Sequence, residues 1–147
     1  MKRLFTILLA FVGLSFTSNA QQLDSAKRVL LDGKLAEYTA AIEREGVQVQ
    51  KEECDFLIGS STDSLVRQYV ALRLYDHYVS SRVMGAEAVA IHIFDTWFLP
   101  GIVKMESDMD LMTARVYADF NRQSQIGCKA PELAMETMDG GVVTLLP

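Results

Sequence analysis

The sequence predicts a mainly α-helical protein, an antiparallel bundle of about four helices followed by a short β-hairpin. Three observations lead there. Apolar residues recur at three-and-four spacing in successive segments between Asp24 and Arg122. The breaks between these segments are short and carry Gly85, the Pro100-Gly101 pair and a polar run from Ser60 to Asp63. After Ile126 the spacing changes to alternation around Asp139-Gly140, the signature of a hairpin.

The first twenty residues stand apart from this pattern. Lys2 and Arg3 supply positive charge, every side chain from Leu4 to Phe16 is apolar or small, and Ser18, Asn19 and Ala20 form a small-x-small exit. The apolar run is shorter than the about 20 residues that span a bilayer, so residues 1–20 read as a cleavable secretory signal peptide rather than an anchor. The expected product begins at Gln21, is exported to the periplasm or cell envelope, and has no stable membrane insertion after cleavage. No cysteine lies near the exit for lipid attachment.

Loss of Lys2 and Arg3 moves the formal charge from -5 to -7. An acidic chain without a lysine or arginine cluster lacks the cations that neutralise phosphates, which argues against nucleic acid as a partner. Residues 21–125 are long enough for a single helical domain with its own core.

Within that domain, Val29, Leu30, Leu35, Tyr38, Ala41 and Ile42 predict a first helix over Asp24 to Glu45. Asp24 or Ser25 is placed to cap it, Gly33 to bend or divide it, and Gly46 to end it. The stretch holding Cys54, Phe56, Leu57 and Ile58 is ambiguous. The polar run from Ser60 to Asp63 then starts a helix whose stripe is Leu65, Tyr69, Leu72 and Val79, with Val66 and Val83, continuing to about Met84. Gly85 breaks it. A further helix from Ala86 to Leu99 is apolar over most of its circumference, which predicts burial among its neighbours, and Pro100-Gly101 stops it. Ser107 followed by Asp110 resembles a capping box with a shortened acid, and Leu111, Met112, Ala114, Val116, Tyr117 and Phe120 carry a last helix to about Arg122.

From Ile126 onward, Leu133, Met135 and Thr137 alternate with Ala134, Glu136 and Met138, Asp139-Gly140 supplies the turn, and Val142 to Leu145 is the return strand. A lone hairpin buries too little to be stable in water, so this one calls for more sheet. The sequence of the tail, Gly127-Cys128-Lys129-Ala130-Pro131-Glu132-Leu133 followed by Asp139-Gly140 and Val143-Thr144-Leu145, resembles the opening of a thioredoxin-like domain of the redoxin, or TlpA-like, class. The helical part, especially Tyr75 to Met84 and Val89 to Phe98 leading into Asn121 and Gly127, is similar to the helical module of unknown function that precedes such domains in exported bacterial proteins. The resemblance implies the N-terminal part of an envelope thiol-disulfide oxidoreductase, with residues 126–147 as the incomplete start of its thioredoxin-like domain.

That family's activity needs Cys-x-x-Cys at a helix N-terminus, where amides and dipole stabilise the attacking thiolate. Cys54 and Cys128 lie 74 positions apart and neither can form the motif. No catalytic, cofactor-binding or metal-ligating residue is therefore carried over, and the chain alone is expected to be inactive as an oxidoreductase. Cys54 and Cys128 remain candidates for a structural disulfide, with free or buried thiols as the alternative, because sequence separation does not fix distance in space. His77 and His92 flank Gly85 at similar separations, with Asp76 and Asp95 nearby, but two histidines without ligand spacing on one helix point to packed or surface side chains rather than a metal site.

Two readings follow. In one, the bundle is a docking or dimerisation element whose partner is a protein or the missing thioredoxin-like domain. In the other, it is a complete non-catalytic helical binding protein of the cell envelope.

Overall fold

The computed structural model describes residues 23–129, 132 and 134–144. The expected leader, Met1 to Ala20, lies outside them, as do Ala130, Pro131, Leu133 and Leu145 of the tail motif. The described residues form five α-helices and one two-stranded antiparallel hairpin. The mainly helical architecture agrees with the sequence reading, with one helix more than the spacing predicts.

Helix α1 spans Ser25–Ile42 and buries Leu31, Leu35, Tyr38 and Ile42, one residue per turn along one side. Val29 and Leu30, which the apolar spacing assigns to the core, are exposed. The helix runs through Gly33 without a break. Nothing lies within 4 Å of the space a Cβ would take there, so this glycine meets no packing need. Gly46 ends nothing; it is the N-cap of the helix the spacing leaves ambiguous, α2, Val47–Ser60. Gln50, Cys54, Leu57 and Ile58 form its inner side. Gln50 also ties the two helices together, its Nε2 donating to the carbonyls of Glu45 at 2.8 Å and Glu43 at 3.4 Å.

Helix α3, Ser64–Ser80, starts where the polar run places it: the Asp63 carboxylate accepts from Leu65 N–H at 2.9 Å. Its Arg67 reaches back to the end of α2 and donates from Nε and Nη2 to the Ser61 carbonyl at 3.1 and 2.7 Å, satisfying a group the helix end leaves open. The buried side is Val70, Ala71, Leu74, Tyr75 and Tyr78, so the helix is turned relative to the predicted stripe: Val66, Leu72 and Val79 lie at the rim of the core, and Leu65 and Tyr69 are half-buried. It stops at Ser80, and Val83 and Met84 are exposed in the following turn. That turn needs Gly85. Its φ is +94°, and a Cβ would stand 2.9 Å from Val47 Cγ2.

Helix α4, Ala86–Ile93, is the central element and packs against α3, α2 and α5. Ala86, Val89, Ala90, Ile91 and Ile93 are buried, as the all-round apolar pattern predicts. It continues into a π turn, Phe94–Phe98, whose hydrogen bond from Leu99 N–H to the Phe94 carbonyl closes five residues apart at 2.8 Å. Phe94 and Phe98 complete the core there, and Phe98 meets Tyr75 edge-on at 5.7 Å. After a loop anchored by buried Val103, Ser107 caps α5, Asp108–Arg122: its hydroxyl accepts from Asp110 N–H at 3.2 Å and donates to the Asp110 carboxylate at 2.6 Å. This is one half of the shortened capping box that the sequence resembles: the Asp110 carboxylate meets the Ser107 hydroxyl rather than the Ser107 N–H on which a capping box closes. Helix α5 meets the core through Ala114 and Ala118, with Leu111 and Tyr117 at the rim.

The tail forms β1, Ala134–Glu136, and β2, Val142–Thr144, paired antiparallel with Ala134 opposite Thr144 and Glu136 opposite Val142. Thr137 N–H donates to the Gly141 carbonyl at 2.7 Å, and Gly140 takes a φ of +78° in the Asp139-Gly140 turn.

Candidate functional site

Three places bring chemistry-bearing side chains together. The first lies where α2 crosses α4. Asp55 points outward from α2 and uses both carboxylate oxygens: Oδ1 accepts from Trp97 Nε1–H and Oδ2 pairs with His92 Nε2, each at 2.8 Å. In a regular helix residues five apart sit about 140° apart around the axis. The π turn removes that offset, so His92 and Trp97 reach one carboxylate. A carboxylate and an imidazole in contact can orient a proton transfer, but among the described residues no hydroxyl or thiol hydrogen-bonds His92 to receive one. The cluster joins α2 to α4 across the edge of the core. The sequence reading missed Asp55 because it sits in the ambiguous stretch, and no periodic signal marks a pairing that depends on a π turn.

The four residues flanking Gly85 do not converge. His92 pairs with Asp55. Asp95 instead receives two hydrogen bonds from the Arg122 guanidinium at 2.6 and 2.7 Å, which fastens α5 to the π turn. His77 is exposed, its ring 5.1 Å from that of Tyr78. Among the described residues no three histidine, cysteine or acidic side chains are grouped as a metal site requires.

The second place is the surrounding of Cys54. This thiol is fully buried beside Tyr78, whose hydroxyl hydrogen-bonds it, and next to the Tyr38 hydroxyl, which donates to Glu53. Burial pushes the Cys54 thiol up to about 12, against the lowering by the Tyr78 hydrogen bond and with the negative charges of Asp55 and Glu53. Burial likewise raises Tyr38 and Tyr78, helped by Glu53 for the one and by Cys54 for the other. A thiol so placed is held neutral and out of reach, the reverse of a nucleophile's setting. Cys128 is exposed beyond the C-terminal end of α5, with Sγ donating to the Arg122 carbonyl at 3.4 Å. Both cysteines are free thiols, so the candidate bridge between them is not formed in this structure.

The third place is an open groove of about 610 Å³ between α1 and α3. Leu35 and Leu74 line its floor, and charges of both signs stand around it: Asp32, Glu43 and Asp76 with Arg73 and Arg82. Arg73 is paired with Asp32 at 2.8 Å, and Asp32 also accepts from the Tyr69 hydroxyl at 2.8 Å, so this pair serves to hold α1 on α3. Burial raises the Asp76 carboxyl, opposed by Arg73.

The hairpin differs from all three. Every residue of β1 and β2 is exposed, and Met135, Val142 and Val143 present apolar surface to solvent. Its two strands pair with each other and with no third strand among the described residues. No family model, no curated protein and no solved structure matches this chain. No helix among the described residues is long and apolar enough to cross a membrane.

Proposed function

We propose that this chain is the helical docking module of an exported thioredoxin-like protein, and that it binds and positions rather than catalyses. The observation that carries the reading is the hairpin. It bears the Gly127 to Thr144 pattern of a redoxin opening and leaves all six strand residues in solvent, a state that a two-stranded ribbon leaves when more sheet joins it. The helical bundle supports a mechanical role: its polar clusters, Asp55-His92-Trp97, Asp32-Tyr69-Arg73 and Asp95-Arg122, each join two elements. The thiols favour a non-catalytic part, since one is buried and neutral and the other has no partner cysteine.

In this reading the bundle is the support and the hairpin the first pair of strands of the catalytic sheet, whose Cys-x-x-Cys is supplied by the thioredoxin-like domain. The chain alone is expected to leave the dithiothreitol reduction of insulin at its uncatalysed rate. Joining it through the hairpin to a thioredoxin-like domain that lacks its own first two strands is expected to bring turnover and to slow amide exchange at Val142 to Thr144. Turnover by the chain alone that Cys54→Ser or Cys128→Ser abolishes overturns the reading, as does a joined protein in which the hairpin stays unprotected.

The groove between α1 and α3 favours a second reading, a stand-alone helical binding protein of the cell envelope, because an open cleft of that volume admits a small ligand or peptide. Substitution of groove residues that lowers binding of an envelope ligand, with the hairpin deleted and no effect seen, would support it over the first.

A further inference from the structure

Methionine is ordinarily a core residue. Beyond the predicted leader the chain has Met84, Met105, Met109, Met112, Met135 and Met138, and all but Met105 are exposed. Three of them fall in the stretch that leads into α5, Met105-Glu106-Ser107-Asp108-Met109-Asp110-Leu111-Met112, interleaved with Glu106, Asp108 and Asp110. Met109 and Met112 are three positions apart in a regular helix and so stand on neighbouring positions of one side, with 71 and 64% of their surface in solvent. Neither is spent filling the core. Met105 precedes the Ser107 N-cap at the same end of the helix and is half-buried at the rim of the core. An apolar partner laid on this turn would have to strip water from the carboxylates between the methionines, which costs free energy. A cation is drawn by them.

We propose that Met109 and Met112, with Met105 as the third donor, form a binding site for a soft monovalent cation of the Cu(I) class. Thioether sulfur is an uncharged, polarisable ligand that selects Cu(I) over hard or borderline divalent ions. It therefore needs none of the histidine, cysteine or acidic groupings in which a harder ion would sit. The charge around the sulfurs has the required sign. The free N–H groups of the first turn of α5 oppose a cation, and Asp108 and Asp110 in that turn outweigh them. Asp108 lies four residues before Met112 and so on its side of the helix. Asp76 on α3 belongs to the same neighbourhood: burial raises its carboxyl, Arg73 lowers it, and the nearby charges of Glu106 and Asp110 raise it again. The site goes beyond the docking reading and does not rest on it, and its test reads metal at the methionines, not turnover.

Ag(I) is a redox-inert ion of the same softness, and its binding can be read by NMR at the isotope-labelled methionine methyl groups of the full chain. A Cys128→Ser background removes the exposed thiol, which would compete for it. A single equivalent of Ag(I) is expected to move the Met109 and Met112 signals to saturation and to leave in place that of Met84, which is as exposed but far from any other methionine in sequence. Met105→Leu, Met109→Leu and Met112→Leu keep the volume and lose the sulfur, so each is expected to weaken binding by roughly tenfold or more while far-UV circular dichroism stays unchanged. Met84→Leu is expected to change nothing. Cu(I) held reduced by ascorbate is expected to displace Ag(I) from the same signals, and Zn(II) to leave them unmoved. Equal shifts at Met84, binding that any one of the three leucine changes leaves intact, or displacement by Zn(II) overturns the proposal.

Discussion

Cys54 shows how burial alone decides the chemistry of a residue. Its thiol is pushed up from about 9 to about 12 because the thiolate would stand unsolvated among Leu57, Tyr38 and Tyr78. In the unfolded chain the same thiol ionises at its ordinary value. Above that value the unfolded state has lost a proton that the folded state keeps, so stability is whole below about pH 9 and falls as pH rises toward 12. Tyr75, raised to about 12 by burial, adds in the same sense from about pH 10. Each such group contributes a slope of about 1.4 kcal/mol per pH unit. Thermal unfolding followed from pH 7 to 11 is expected to show a flat midpoint that then drops, and Cys54→Ala is expected to make the drop shallower. With a thiol reagent at neutral pH, Cys128 is expected to react at once and Cys54 only on unfolding; rapid labelling of both would contradict the burial of Cys54. Asp55 carries a different kind of weight. Asp55→Ala leaves Trp97 Nε1 and His92 without their shared acceptor, and it is expected to cost about 1 to 2 kcal/mol and to shift Trp97 fluorescence. Unchanged emission and stability would mean that the cluster does not hold α2 to α4.

At the scale of the elements, the two glycines with contrasting surroundings make opposite predictions. Gly33 sits inside α1 with empty space where a Cβ would go, so Gly33→Ala is expected to stabilise by about 0.5 to 1 kcal/mol. Gly85 joins a positive φ to a near contact with Val47, so Gly85→Ala is expected to destabilise by about 1 to 3 kcal/mol. Denaturant midpoints moving in the same direction for both would break the argument. The sequence made the ends of elements readable where a side chain does the capping. Asp63 and Ser107 both bond the amides their positions suggest. It was less readable where apolar residues are plentiful. The arc of α3 is so wide that spacing favours Leu65-Tyr69-Leu72, whereas packing against α4 chooses Val70, Leu74 and Tyr78. Helix α2 escaped altogether because Gln50 and Cys54 occupy its inner side and Phe56 its outer, which blurs the period. The Asp55-His92-Trp97 cluster depends on a turn that no spacing announces, so nothing in the sequence marked it.

The whole molecule is held unevenly. The buried side chains of α2, α3 and α4 form one continuous cluster, whereas the hairpin after Gly127 has none of its strand residues buried. Amide exchange is expected to be slowest at Leu74 and Ile93 and fast in the hairpin; equal protection in both would show that the tail has found a partner. Between these extremes stands α5, and its two inward alanines have a consequence for how the protein comes apart. A helix that gives up so little apolar surface on leaving is a separate foldon, able to open with the rest intact. What resists its opening is the fork of Arg122 on Asp95, a half-exposed ion pair that added salt weakens. Exchange in Ala114 to Ala118 is therefore expected to be intermediate at low salt and to quicken in molar salt, while Leu74 does not respond. A protease supplied under the same conditions would be expected to enter through the loop from Leu99 to Glu106 and leave α1 to α4 as the surviving fragment.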